Sequence, residues 1–209
     1  MRERVLEAAE ALVLRQGIRA TTLDQVVERL GISKKTLYDF FPSKEALIEA
    51  AMERFLNRIQ AQVADLRTAH QQDPLLAIVA TANFAYRTLS AINPTLFREI
   101  TRLEPALQDK LYGRIRELIQ QNLHATLQEG LQQGLFRSDL DMEFIPLWMF
   151  YVLTSAILNP DIAQAMERPI SEVYAESMLL FLYSFTTEAG RARLVQYQAF
   201  IRETYVRSA

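Results

Sequence analysis

The chain has 209 residues, no cysteine and a formal net charge of −2. Disulfides and thiolate metal centres are excluded. So is a surface basic enough to coat nucleic acid at large, and any contact with nucleic acid must rest on a local patch. Half of the residues are hydrophobic and 23% are charged, the balance of a folded chain with a buried core. Glu3, Glu7 and Glu10 interrupt any signal-peptide core. The longest apolar run, residues 144–158, is shorter than the roughly 20 residues of a membrane span. A cytoplasmic protein with no membrane partner is the expectation.

Six glycines and seven prolines punctuate long stretches with apolar residues three and four apart, which predicts an all-α fold. A first helix ends at "RQG", 15–17, and carries Val5, Leu6, Ala9, Leu12 and Val13 on one face. A second runs over 23–30. Thr22 is its N-cap, Gln25 completes a capping box, and Gly31 closes it in a left-handed conformation. Ser33 caps a short third helix over 34–40. Ser43 caps a fourth, over 44 to about 68, with Glu45 in its positive first turn. Longer helices follow, over 75–91, 95–101, 105–133, 141–158, 171–186 and 191–207, with connectors at 132–141 and 159–169.

The information lies in "SKKTLYDFFPSKEAL", 33–47, which gathers three of the chain's four lysines beside Tyr38, Phe40 and Phe41. Two short helices joined by "LGIS" form a helix-turn-helix pattern, whose second helix enters the DNA major groove. At about 100° per residue, Leu37 and Phe41 share the inward side, while Lys35 and Asp39 point outward, flanked by Thr36 and Tyr38. Lys34 and Lys44 stand at helix N-termini, where phosphate is favoured. Lys34, Tyr38 and Lys44 form a candidate phosphate clamp, and Lys35, Thr36 and Asp39 are candidates for base edges.

The segment "TTLDQVVERLGISKKTLYDFFPSKEAL", 21–47, resembles the DNA-binding signature of TetR-family transcriptional repressors. The matching positions are Thr21, Thr22, Val26, Val27, Gly31, Ile32, Ser33, Thr36, Leu37, Tyr38, Phe41, Ser43, Lys44, Glu45 and Leu47. Two positions depart: Phe40 stands where the family has His or Tyr, and Lys35 where it often has Gly. The resemblance implies a homodimer on double-stranded operator DNA and a small-molecule effector whose binding releases the operator. It gives backbone-contacting roles to Thr22, Tyr38 and Lys44, and the DNA-facing set is Thr22, Ser33, Lys34, Lys35, Thr36, Tyr38, Asp39 and Lys44.

The domain boundary is expected after residue 47. Residues 1–47 form the reading head, the fourth helix over 44–68 links, and 48–209 form an effector and dimerisation domain. Its aromatic residues and the few polar ones among its apolar runs give candidate effector contacts: Phe55, Asn83, Phe84, Arg87, Phe97, Tyr112, Trp148, Tyr151 and Ser155. They suggest a moderately apolar effector. Arg87 is read as a buried arginine needing Glu99 or an acidic ligand as partner. The helices over 141–158 and 171–186 are apolar nearly all round and are expected to pair with a twofold copy.

His70 and His124 stand in no metal-ligand spacing, and no cofactor or catalytic constellation is evident. The chain is expected not to be an enzyme. The alternative from another class is an apolar-ligand-binding helical module whose head no longer reads DNA, with Phe40 as the feature that favours it.

Overall fold

The computed structural model describes residues 1–100, 102–103, 105–141, 143–158 and 164–206, without the side chains of 155–158 and 203–206. The helices in chain order are α1 (Arg2–Gln16), α2 (Leu23–Leu30), α3 (Lys34–Phe40), α4 (Lys44–Ala69), α5 (Pro74–Ser90), α6 (Thr95–Ile100), α7 (Pro105–Gln132), α8 (Phe144–Leu158), α9 (Ile170–Phe185) and α10 (Glu188–Val206). The only extended pairing among the described residues is an isolated bridge between Phe136 and Thr186. The expected all-α class holds.

Three helix starts that differ from expectation are set by side-chain caps. α8 begins at Phe144 rather than 141, since the Asp141 carboxylate accepts from the Glu143 and Phe144 amides at 2.9 and 3.0 Å and so caps the helix. α10 begins three residues earlier than expected, because the Thr187 hydroxyl accepts from the Gly190 amide at 3.1 Å. α5 opens with Pro74 at its first position, where no amide is needed, and Asp73 caps it through the Leu76 amide at 3.1 Å.

The chain divides into two compact units, Met1–Ala61 with Ala91–Ile115, and Gln62–Ser90 with Arg116–Ala209. The first has a core of Val5, Leu6, Ala8, Ala9, Leu12, Val26, Leu37, Phe41, Leu47 and Ala51. The expected inward stripe of α1 is buried throughout. That helix also buries Glu10, which is only 5% exposed. Its carboxylate is met by Arg54 and, at 2.7 Å, by Arg58, both on α4, and Arg54 also reaches Glu3 at 2.6 Å. Two cations and their hydrogen bonds compensate the desolvated charge. Lys110 and Arg114 of α7 pair with Glu49 and Glu53 of α4.

The second unit is built on α5, α8, α9, α10 and the later part of α7. Leu75, Ile78, Val79, Ala82 and Tyr86 of α5 pack with Ile145, Met149 and Leu153 of α8 and with Tyr174, Met178, Leu182 and Phe185 of α9. The Tyr174 hydroxyl donates to the Ala82 carbonyl at 2.9 Å, which satisfies its polar end inside the core. Asp73, having capped α5, also accepts from the Tyr197 hydroxyl and pairs with Arg193 at 3.0 Å, tying α10 to the start of α5. Burial, and then the neighbouring Asp73, raise the Tyr197 phenol above its ordinary value.

Candidate nucleic-acid interface

Each end of α2 and α3 is fixed by a residue within four positions of it. The Thr22 hydroxyl accepts from the Gln25 amide at 3.3 Å while the Gln25 side chain accepts from the Thr22 amide at 2.9 Å, a reciprocal capping box. Gly31 ends α2 at φ 63°, the left-handed conformation that turns the chain sharply into α3. The Ser33 hydroxyl accepts from the Thr36 amide at 3.0 Å, and the Ser43 hydroxyl from the Ala46 amide at 3.1 Å. The Glu45 carboxyl titrates below the usual carboxylate value, held there first by its own backbone amide and then by the Ser43 hydroxyl.

α3 therefore has an inner and an outer side. Leu37 is fully buried and Phe41, just past the helix, is 4% exposed. Opposite them, Lys34, Lys35, Tyr38 and Asp39 are exposed and Thr36 is half-buried. Tyr38 shows half of its surface to solvent although it is an aromatic residue in a chain with core to spare. Phe40 lies at the edge, 36% exposed, and lines a cleft of about 380 Å³ with Arg2, Phe41, Pro42 and Ala46.

Three contacts in the head are invisible in the motif. The Lys34 ammonium pairs with the Asp24 carboxylate of α2 at 2.6 Å, with both side chains more than half exposed. The hydrogen bond and charge of Asp24 raise the Lys34 pKa, so the group stays an ammonium. The Lys44 ammonium donates to the Arg19 carbonyl at 3.3 Å, across from the loop that leads into α2. The Glu99 carboxylate of α6 accepts from the Ile18 and Arg19 amides at 2.5 and 3.4 Å. A Cβ at Gly17, where φ is +88°, would stand 2.6 Å from that carboxylate, so the glycine admits Glu99 to the loop.

The candidate effector contacts are divided between the two units. Phe55, Phe97 and Tyr112 belong to the first unit. There Phe55 is buried with Arg58 over its ring, Phe97 is half-buried and Tyr112 is 37% exposed. Asn83, Phe84, Arg87, Trp148 and Tyr151 belong to the second. Arg87 is exposed, contrary to the buried arginine expected, because the inward side of α5 is taken by Ile78, Ala82 and Tyr86. Glu99 is engaged by the loop amides of the first unit. Trp148 and Tyr151 are 51% and 54% exposed, so they line no interior. The core side of α8 is Ile145, Met149 and Leu153, which leaves Phe144, Trp148 and Tyr151 on an outward face, with Phe144 stacked on Trp148 at 5.7 Å. The Ser155 side chain lies outside the described residues. Phe84 and Asn83 are half-buried, and the Asn83 Oδ1 atom is buried with no hydrogen-bond partner among the described residues. No helix among the described residues is long and apolar enough to cross a membrane.

Two short capped helices around a left-handed glycine, with a buried anchor beneath and an exposed lysine–tyrosine face above, define a helix-turn-helix DNA-binding protein. The sequence model of the bacterial regulatory proteins of the tetR family matches residues 5–51. The HTH-type transcriptional regulator BetI of Burkholderia ambifaria (strain MC40-6) is 30% identical over 140 residues, 66% of this chain and 71% of that protein. The HTH-type transcriptional repressor KstR2 of Rhodococcus jostii (strain RHA1) is 24% identical over 145 residues, 68% of this chain and 71% of that protein. Among solved structures, a gamma-butyrolactone receptor (ArpA-like protein) superposes with a TM-score of 0.64 at 21% identity, over 97% of this chain and 96% of that one. The chain belongs to the TetR family and is a DNA-binding transcriptional regulator.

Proposed function

We propose that this regulator is a dimeric repressor, released from its operator by a small, moderately apolar effector. The observation that carries the reading is the exposed outer side of α3, where Lys35, Tyr38 and Asp39 stand free of the core that Leu37 anchors. Lys35, Thr36 and Asp39 face base edges. Thr22, Ser33, Tyr38 and Lys44, with Lys34 at the margin, face phosphates, since phosphate contacts fix register while base contacts specify. Residues 1–47 are the reading head, and 48–209 carry effector binding and dimerisation. α4 is the link, running unbroken from Lys44 to Ala69. A reader of chromosomal DNA works in the cytoplasm.

The dimer is supported by the outward face of Phe144, Trp148 and Tyr151 on α8, with Leu180 of α9 at 72% exposure. Large apolar side chains left in water on adjacent helices mark an interaction surface. Effector binding is supported by the apolar interior of the second unit and by Asn83, whose buried, unpaired Oδ1 would accept from a donor on the ligand. KstR2 is a repressor by name, and the superposable receptor is one for gamma-butyrolactone. An effector that binds one placement of the two heads better than the other shifts the population away from the half-site spacing.

A gel-shift against the duplex upstream of the chain's own gene tests the reading. Retardation that survives excess unrelated duplex is expected. Retardation that the unrelated duplex abolishes at equal concentration would instead favour the ligand-binding module that has lost specific DNA reading. The Asp24–Lys34 pair adds a second expected result. Asp24→Asn frees an ammonium beside the phosphates, so binding to every sequence tightens, and the slope of log affinity against log salt steepens by about 0.9. An unchanged slope in a salt titration would show that Lys34 does not meet phosphate.

A further inference from the structure

The connector between α1 and α2 is held far more tightly than a six-residue surface loop requires. Gln16 Nε2 donates to the Ala20 carbonyl at 3.0 Å and to Gln25 Oε1 at 2.8 Å, joining the loop to the capping box of α2. The Thr21 hydroxyl donates to the Gly17 carbonyl at 2.7 Å and is buried. Glu99 takes the Ile18 and Arg19 amides from the side of α6, and Lys44 takes the Arg19 carbonyl from the start of α4. Both backbone groups of Arg19 are thus engaged, by two different helices.

The side chain of Arg19 is left exposed, and it makes no ion pair among the described residues. Five other cations of the same unit are committed, Arg54 and Arg58 to Glu10, Lys110 to Glu49, Arg114 to Glu53 and Lys34 to Asp24, whereas Arg19, like Lys35 on α3, keeps its charge for a partner outside the chain. The loop carries its arginine three residues before Thr22 and in hydrogen-bond contact with Lys44, the two phosphate-facing residues of the reading above.

We propose that Arg19 is a DNA-backbone contact of this regulator, presented to a phosphate by a connector that is fixed in its bound form before DNA arrives. The chemistry fits. A guanidinium presents a fork of donors that a phosphate can accept in pairs. Fixing the backbone beforehand removes part of the ordering cost of binding. Phosphate is the target rather than a base, because the residue sits on the connector and not on α3. Glu99 is a positioning residue: from α6 it holds the Ile18 and Arg19 amides, the two that lead into the arginine's Cα.

The inference rests on the DNA-reading function, and its test separates the two. The full chain is titrated by fluorescence anisotropy against the duplex upstream of its gene and against a mixed-sequence duplex, each over a series of salt concentrations. Arg19→Ala is expected to weaken binding to both duplexes by roughly fivefold to tenfold near 0.1 M salt, and to flatten the salt slope by about 0.9. Arg19→Lys is expected to restore most of the slope, and the thermal midpoint of both variants to equal that of the parent. Unchanged affinity and slope in Arg19→Ala, alongside a flattened slope in Lys44→Ala, would overturn the role of Arg19 and leave the DNA-reading function standing. Failure of the parent chain to bind either duplex would remove the function and this inference with it.

Discussion

Replacing Trp148 with arginine is expected to convert the dimer to a monomer and to lower affinity for a two-half-site operator by about 10²–10⁴-fold, the usual loss when two linked binding events become one. Trp148 is half exposed and stacks on Phe144, one turn before Tyr151 on the same outward face. The inward side of α8 is complete without it, since Ile145, Met149 and Leu153 are each less than 9% exposed. An arginine here is solvated in a monomer and leaves the core untouched. In a twofold assembly it appears twice, desolvated and without a counter-ion. Sedimentation velocity reads the assembly and the gel-shift reads the affinity, while circular dichroism checks that helix content is retained. A variant that sediments as the parent does would take α8 out of the interface. The same substitution also tests the earlier placement of Trp148 on an effector, because that role predicts an intact dimer with altered effector response.

The head was legible in the sequence because its determinants are local. Thr22 with Gln25, Gly31, Ser33 and Ser43 each act within four residues, and all four devices are formed. α3 could be oriented from Leu37 alone, because a short helix with one strong apolar side leaves a single inward choice. The contacts that brace the head were not legible. Glu10 meets Arg54 and Arg58 across separations of 44 and 48 residues, and Glu99 meets Ile18 across 81, and no spacing rule spans such distances. The outward placement of Trp148, Tyr151 and Arg87 was not legible for another reason. α8 is apolar on every side, so its periodicity defines no face, and only packing decides that Ile145, Met149 and Leu153 go inward and Trp148 and Tyr151 outward. Arg87 follows Tyr86 directly and is carried about 100° round the helix from the core stripe, out of the buried position expected for it. The signal for Asn83 was present in the sequence as a polar residue in an apolar run. Its significance comes from the buried oxygen left without a partner.

Gly190→Ala is expected to destabilise the chain by about 2–4 kcal/mol, although alanine is the better helix former by roughly 1 kcal/mol. Gly190 lies in the first turn of α10, against the turn that follows α7. A Cβ there would stand 2.1 Å from the Leu135 carbonyl oxygen and 3.0 Å from the Thr186 Cβ. The carbonyl cannot swing away cheaply, because it accepts from the Thr187 amide at 2.9 Å and from the Thr187 hydroxyl at 3.2 Å. That hydroxyl also donates to the Gly134 carbonyl at 2.7 Å and caps α10 through the Gly190 amide. Room for a methyl group would therefore be made by parting the two segments. The Arg137 amide, which donates to the Phe185 carbonyl at 2.9 Å, and the bridge between Phe136 and Thr186 stand beside the same seam. Gly113 supplies the opposite sign. It is an exposed residue of α7 with no atom within 4 Å of an added Cβ, so Gly113→Ala is expected to stabilise by up to about 1 kcal/mol. At roughly 2–4 °C per kcal/mol for a chain of this size, the two variants should melt on opposite sides of the parent, Gly190→Ala lower by about 5–15 °C. Urea unfolding monitored by far-ultraviolet dichroism supplies the free energies. A Gly190→Ala chain as stable as Gly113→Ala would mean that α10 does not rest on the Leu135 carbonyl.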